Sequence, residues 1–379
     1  MGYISCFERF LEIIHSDLQM YNRHFDIPAQ ERFRKEVVFY GFMDLLGYTN
    51  FSVSKITESA IAIYDSLQHI NNSKKKQSIE IILRSYSDNI GLIIPINLAE
   101  LFYSPSPKTV WSILRIATIY QLSMVLNGFA LRGSLCIGTL LFNDDIMAGK
   151  VLIKAYELEK ERAKYPRIIL DDIIVRYLKC LRKYPLVESK INNGNNLLKN
   201  ELSFLNISER GKKDLIRLIT DWNFFPNLAI LKDSDGIYFL NYLWQFAEIL
   251  YNAMSLPFFA AKIFKSREQT QGSNLEISAL YSEEDIKNVC KIFHQIYNEL
   301  ENHYKFIVKN LSNVEDEKVK EKYFWLSKYH DFFVDNFIAR PIVKEIINSL
   351  CQIKLEQLLP NIKINYSIDK LPSIEFANI

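Results

Sequence analysis

Two aspartates stand where apolar runs of the chain come to an end. The first, Asp44, closes the apolar part of "VVFYGFMDLLGYTN" (37 to 50) and is followed by two leucines, a glycine, a tyrosine and a threonine. The second, Asp88, sits in "SYSDN" (85 to 89), between two strand-like runs. Side chains alternate along a strand, so Tyr40, Phe42 and Asp44 share one face, as do Arg84, Tyr86 and Asp88. A sheet that lays the first strand beside the hairpin brings the two carboxylates together at one edge. A bare buried carboxylate is costly, and two close ones repel unless a proton or a metal ion lies between them. An all-oxygen pair suits a hard cation such as Mg2+ or Mn2+. The backbone N–H groups of "LLGYT", turning into a helix start, could hold a phosphate.

A strand over about 36 to 46 carries Asp44. Ser52 or Ser54 can cap the next helix, whose apolar positions Ile56, Ala60, Ile63, Leu67 and Ile70 recur at three- and four-residue spacing. "SIEIILRSYSDNIGLIIPI" predicts a hairpin with Asp88 at its tip. A helix over about 108 to 128 ends at Gly128, and "ALRGSLCIGTLLF" predicts a fourth strand. A helix over about 150 to 164, stopped by Pro166, leads to a short strand, "RIIL". The order strand, helix, strand, strand, helix, strand, then helix and strand predicts an α/β (α+β) chain with a ferredoxin-like or palm-type sheet. A helical lead-in is expected over 1–35. The sheet domain is expected over 36–250, with an insertion at about 172–220 and a late hairpin at "AILKDSDGIYFLNYL". A mainly helical region is expected over 251–379.

The composition narrows the classes. Nearly half of the 379 residues are apolar, enough for a large core, and the net charge of +2 is too small for nucleic-acid wrapping or a strong pull to anionic membranes. Five scattered cysteines, an odd count without a CxxC pair, predict reduced thiols in a cytoplasm. The six histidines lack ligand spacing. No secretory signal is expected, because Glu8, Glu12 and Asp17 interrupt the first apolar residues. Asp144, Asp145, Asp171 and Asp172 read as turn and cap acids, and "DSDG" (233 to 236) as a hairpin turn. Lys150, Lys154 and Lys164 read most simply as a solvated helix face.

"DLLGYT" resembles the D-I-V-G-F-T signature of class III nucleotide cyclases, and "SYSDN" resembles that family's metal-binding hairpin. "LRGSLCIGTLL" is similar to its R-I-G-I-H-T-G strand. "GKVLIKAYELE" (149 to 159) matches G-D-T-V-N-L-A-A-R-L-E at the Gly, Ala and Leu-Glu positions. The resemblance covers about residues 36 to 170. "LRGS…IG" followed by "AYELE…A.YPRI" is most like the pyrimidine cyclases of the bacterial Pycsar antiphage systems. Those make cyclic CMP or cyclic UMP, which activates a separate effector protein.

The resemblance implies a class III cyclase sheet and two Mn2+ or Mg2+ ions held by Asp44, Leu45 and Asp88. It implies a triphosphate cradled by Leu46, Gly47, Tyr48 and Thr49, with Tyr40 and Arg84 toward the base and Lys154 on the nucleotide. In-line attack of the ribose 3′-hydroxyl on the α-phosphate then depends on positioning and electrostatics. The family's Asn falls at Ile153, its transition-state Arg at Glu157 and its base-reading Asp at Lys150. The missing cation must come from elsewhere, with Arg132 foremost and Lys154 and Arg167 as further candidates. The family's site forms between two head-to-tail domains, which implies a homodimer. The expected function is a cytoplasmic pyrimidine cyclase in antiphage defence, taking CTP or UTP, without nucleic-acid or membrane partners. The alternatives are a non-catalytic sensor of a nucleotide or partner, and a purine cyclase. A palm-type polymerase or dinucleotide synthase would need a GGDEF or GGDD tip, where this chain has "YSDN".

Overall fold

The computed structural model describes residues 33–74, 80–86, 88–96, 107–183, 205–223, 226–256, 275–365 and 371–377, with 202, 262, 263, 266 and 379 besides. The helical lead-in expected over 1–35 lies almost wholly outside them. The chain divides into two units. One comprises Met1–Tyr184, Ala229–Tyr242 and Glu375–Ile379; the other comprises Pro185–Leu228 and Leu243–Ile374.

The first unit begins with β1 (Arg34–Leu45), α1 (Val53–Lys74), β2 (Ile82–Tyr86), β3 (Asn89–Pro95), α2 (Pro107–Leu126) and β4 (Leu131–Phe142). It continues through β5 (Met147–Ala148), α3 (Lys150–Arg162), β6 (Ile168–Leu170), α4 (Asp172–Arg182), β7 (Ile230–Asp233) and β8 (Tyr238–Leu240), and β9 (Ile374–Phe376) comes near the end of the chain. The sheet runs β2-β3-β1-β4-β6-β8-β7-β9, with β5 on β4. It is mixed and mostly antiparallel: β1 is antiparallel to both β3 and β4, while β4 and β6 run parallel. The α+β class and the order of elements follow the sequence expectation, with β5 added.

β1 is central and apolar on both faces, so its sequence reads as a nearly continuous hydrophobic run. One face, with Val38, Tyr40, Ile93, Cys136, Leu140 and Phe142, is covered by Val151 and Ala155 of α3. The opposite face, with Phe39, Met43, Leu92 and Leu135, is fully buried too. α3 is a short amphipathic helix whose buried positions are Val151, Ala155 and Glu159, four residues apart. The third of these is an acid.

The second unit is helical: α5 (Glu209–Asn223), α6 (Trp244–Ala253), α7 (Glu283–Asn313), α8 (Glu317–Phe333) and α9 (Pro341–Cys351). α7 packs on α6, α8 and α9, and α9 packs on α5. Ser282 and Asp285 form a capping box at the start of α7, and Asp316 caps α8. Trp244, Tyr251, Trp325, Tyr329 and Phe337 are fully buried.

Three expectations change here. The domain boundary expected near 250 falls at Leu243, because α6 buries Trp244, Ala247, Leu250 and Tyr251 within the helical unit. α5, expected inside an insertion of the sheet domain, belongs to the helical unit as well, where Arg340 Nε donates to Asp214 Oδ1 at 3.0 Å. The expectation of reduced thiols is corrected: Cys180 is disulfide-bonded, and Cys290 and Cys351 form a disulfide with each other, with Cα atoms 5.5 Å apart. Their separation of 61 residues hid the pairing that the packing of α7 and α9 produces. No helix among the described residues is long and apolar enough to cross a membrane.

Candidate active site

The register of β1 assembles the site. Asp44 lies opposite Asn89 of β3 and opposite Arg132 of β4, so the three share one row across the sheet. The next row holds Arg84, Gly91, Phe42 and Ser134. The close approach of β1 and β4 needs a glycine beside Arg132. A Cβ added at Gly133 would stand 2.5 Å from the carbonyl oxygen of Phe42.

Arg132 is the cation of this row. Its Nε donates to Asp44 Oδ2 at 3.1 Å, and its Nη2 lies 3.1 Å from the same oxygen. Glu159 Oε1 stands 2.7 Å from the same Nε, an ion-pair contact, its side chain 4 % exposed against 27 % for Arg132. The guanidinium therefore bridges an acid of the sheet and an acid of the covering helix. Asp88 occupies the β2–β3 turn, where its carbonyl accepts the Leu45 N–H at 3.3 Å and its Oδ1 accepts from Asn89 Nδ2 at 3.2 Å. Burial pushes the Asp44 carboxyl above the usual carboxylate range; Arg132 opposes that shift and the neighbouring Asp88 adds to it. The two aspartates are near enough to interact, with one arginine against the first of them.

The other expected residues divide. Leu45 and Leu46 are buried, and the Leu46 N–H donates to the carbonyl of Ala130 at 2.9 Å. That N–H is satisfied within the fold, which corrects the expectation that it cradles a phosphate. Gly47 turns the chain with φ of 78°, a left-handed value that favours glycine, into a single 3-10 turn over Tyr48–Asn50 that includes Thr49. Tyr40 is 4 % exposed and part of the core under α3, its hydroxyl lying over Gly91. In this position its ring is held by the core and presents no open face to a base. Arg84 points along the same face but donates from Nη2 to the Asn143 carbonyl at 3.0 Å and pairs with Asp144 at 3.7 Å.

The cation candidates are separated by their partners. Lys154 is paired with Asp171, which also caps α4 by accepting the Ile173 N–H. Arg167 is wholly buried between Asp233 and Asp235 of the β7–β8 hairpin, which the sequence showed only as a turn. Arg132 alone of the three is paired with Asp44. Ile153 and Glu157, at the positions of the family's Asn and Arg, are exposed on α3.

Two residues escaped the sequence reading. Asn89, a turn residue by its sequence context, orients Asp88 and flanks Asp44. Glu159 is signalled in the sequence only as an acid in the apolar stripe of Val151 and Ala155. Among the described residues, no group of three or more His, Cys, Asp and Glu side chains is placed to hold a metal ion. No family model, no curated protein and no solved structure matches the chain.

Proposed function

We propose that the protein is a metal-dependent nucleotide cyclase converting CTP or UTP to a 3′,5′-cyclic nucleotide and diphosphate. The observation that carries this reading is the juxtaposition of Asp44 and Asp88, with Arg132 against the first. The strand order β2-β3-β1-β4 within a βαββαβ run is that of a ferredoxin-like sheet, which supports a palm-type cyclase core.

The donor set fits a hard divalent cation of the kind completed by substrate. Mg2+ sites commonly use one or two carboxylates together with substrate phosphates and water. Two aspartates without a third side-chain ligand suit that arrangement. Asp44 and Asp88, with Leu45 beside them, would hold Mn2+ or Mg2+, which supplies activation of the ribose 3′-hydroxyl and neutralises charge on the departing diphosphate. Arg132 meets charge on the triphosphate. The turn at Gly47, Tyr48 and Thr49 offers the remaining phosphate contacts. Arg84, which has only hydrogen-bond donors, suits a ring carbonyl such as O2 of cytosine or uracil. The choice of a pyrimidine rests on the Pycsar resemblance and on Arg84, since the core holds Tyr40.

The reading extends to a cytoplasmic homodimer in antiphage defence, whose product acts on a separate effector. The exposed Ile146, Ile153 and Tyr156 support a partner-facing surface. A second reading, a nucleotide-binding domain without turnover, is favoured by Ile153 and Glu157 standing where the family has Asn and Arg. Incubation with each of the four nucleoside triphosphates and Mn2+, with mass-spectrometric detection of cyclic product, separates the two. Cyclic CMP or cyclic UMP supports the proposal. Binding of a triphosphate without product supports the sensor, and cyclic AMP or cyclic GMP alone leaves a purine cyclase.

A further inference from the structure

We infer that Glu159 is the positioning residue of the site, acting through Arg132; this rests on the metal-site reading of Asp44 and Asp88. Two carboxylate oxygens lie against Arg132 Nε, Asp44 Oδ2 at 3.1 Å and Glu159 Oε1 at 2.7 Å. A metal ion on Asp44 competes for the oxygen that the guanidinium now holds. Were Asp44 its sole acid, moving off would strand a partly buried cation, and removing one partner from a buried ion pair is costly. Glu159 removes that obstacle. Its carboxylate is nearly fully buried on α3, one turn beyond Ala155, whose carbonyl accepts from Ser134 Oγ of β4 at 2.6 Å. The acid is therefore fixed to the sheet through its helix, and it can keep Arg132 neutralised while Asp44 turns to a cation.

Glu159 thus does two things without touching substrate. It lets Asp44 exchange a guanidinium for a metal ion, and it keeps that guanidinium beside the arriving triphosphate. Neither role depends on which base the site reads.

The test is a double-mutant cycle read in Mn2+ affinity, by calorimetry or by electron paramagnetic resonance of free Mn2+, without nucleotide. R132Q removes the competitor and is expected to tighten Mn2+ binding, while weakening the affinity for a triphosphate. E159Q is expected to weaken Mn2+ binding about tenfold, within the usual range of coupling between contacting residues. In the R132Q background the same change is expected to cost less than about twofold. The double variant removes both charges together, so it leaves neither buried and alone.

An equal loss from E159Q in both backgrounds is a plain charge effect and overturns the inference. So does R132Q binding Mn2+ no more tightly than wild type, which decides the matter even if E159Q does not fold. Mn2+ binding with the expected coupling but without turnover upholds the inference and removes only the cyclase reading. Absence of Mn2+ binding in wild type and in R132Q overturns both.

Discussion

Two arginines of the sheet-bearing unit are each bracketed by two carboxylates, and they show how the same charge pattern serves different ends. Arg167 lies at zero exposure between Asp233 and Asp235, with the rings of Tyr165 and Phe239 at 5.3 and 5.7 Å from its Cζ. That cluster closes on itself and pins the β7–β8 hairpin to the segment before β6. Arg132 keeps about a quarter of its side chain exposed and stands at the end of β1, where Asp88 adds a third acid to Asp44 and Glu159. Formal charge is one negative in the first cluster and two negative in the second. The second is partly open to solvent at a strand end, which is where the proposed cation would bind.

The comparison is broken most readily at the aspartates. Asp44→Asn and Asp88→Asn should each reduce turnover by at least about a hundredfold, a loss of transition-state stabilisation of about 2.7 kcal/mol or more. Thermal unfolding should change little, because neither change opens a cavity. Near-wild-type turnover in either variant would remove the special status of this corner.

Arg167→Met tests the other half. It leaves buried Asp233 without its cation and should lower unfolding stability by about 3–5 kcal/mol, measured by denaturant titration. Arg132→Gln leaves the nearly buried Glu159 without its cation, but Arg132 and Asp44 reach solvent, so its loss should be the smaller, about 1–3 kcal/mol. Equal losses would mean that the two clusters are alike.

The sequence made the sheet order legible because β1, the hairpin and β4 each alternate or run apolar between clear turns. The positions of Asp44 and Asp88 were legible for the same reason, since each stands at the end of an apolar run. Glu159 was harder to read, since its partner is 27 positions away and only the register of β1, β4 and α3 brings them together. The roles of Asp233 and Asp235 as partners of Arg167 were hidden by a sequence that is equally good as a turn. Tyr40 illustrates the opposite limit. Alternation put it correctly on the face of Asp44, but alternation says nothing about which part of that face a helix covers.

The helical unit supplies a control on burial of charge. His303 and His330 are fully buried with Nδ1 atoms 2.8 Å apart, and His330 Nε2 is 2.7 Å from the Ile362 carbonyl. That carbonyl only accepts, so His330 carries its proton on Nε2 and His303 donates from Nδ1. Burial holds both imidazoles below the ordinary histidine value, His303 the further, with His330 adding to its shift. The pair's contribution is therefore fully present above about pH 6.5 and is lost as the pH falls toward the depressed folded values. The unfolding midpoint of wild type should drop between pH 7 and pH 5 by more than that of His303→Gln. An equal drop would assign the acid sensitivity to other groups.

The smallest effects concern the base. Arg84→Ala should reduce discrimination between pyrimidine and purine triphosphates by about tenfold, the range of one lost hydrogen bond to a charged group. Tyr40→Phe should leave discrimination unchanged, because the ring belongs to the core. A shift with Tyr40→Phe and none with Arg84→Ala would exchange their roles.

The central claim, that Asp44 and Asp88 form a cation-dependent phosphoryl-transfer site, is tested most directly by one rate. Formation of 3′,5′-cyclic product from CTP or UTP is measured as Mn2+ is raised, in wild type, Asp44→Asn and Asp88→Asn side by side. The account predicts a Mn2+-dependent rate in wild type and no rate above background in either variant, at matched folding. Cyclic product that forms at the wild-type rate in either variant, or that forms without any divalent cation, would contradict it.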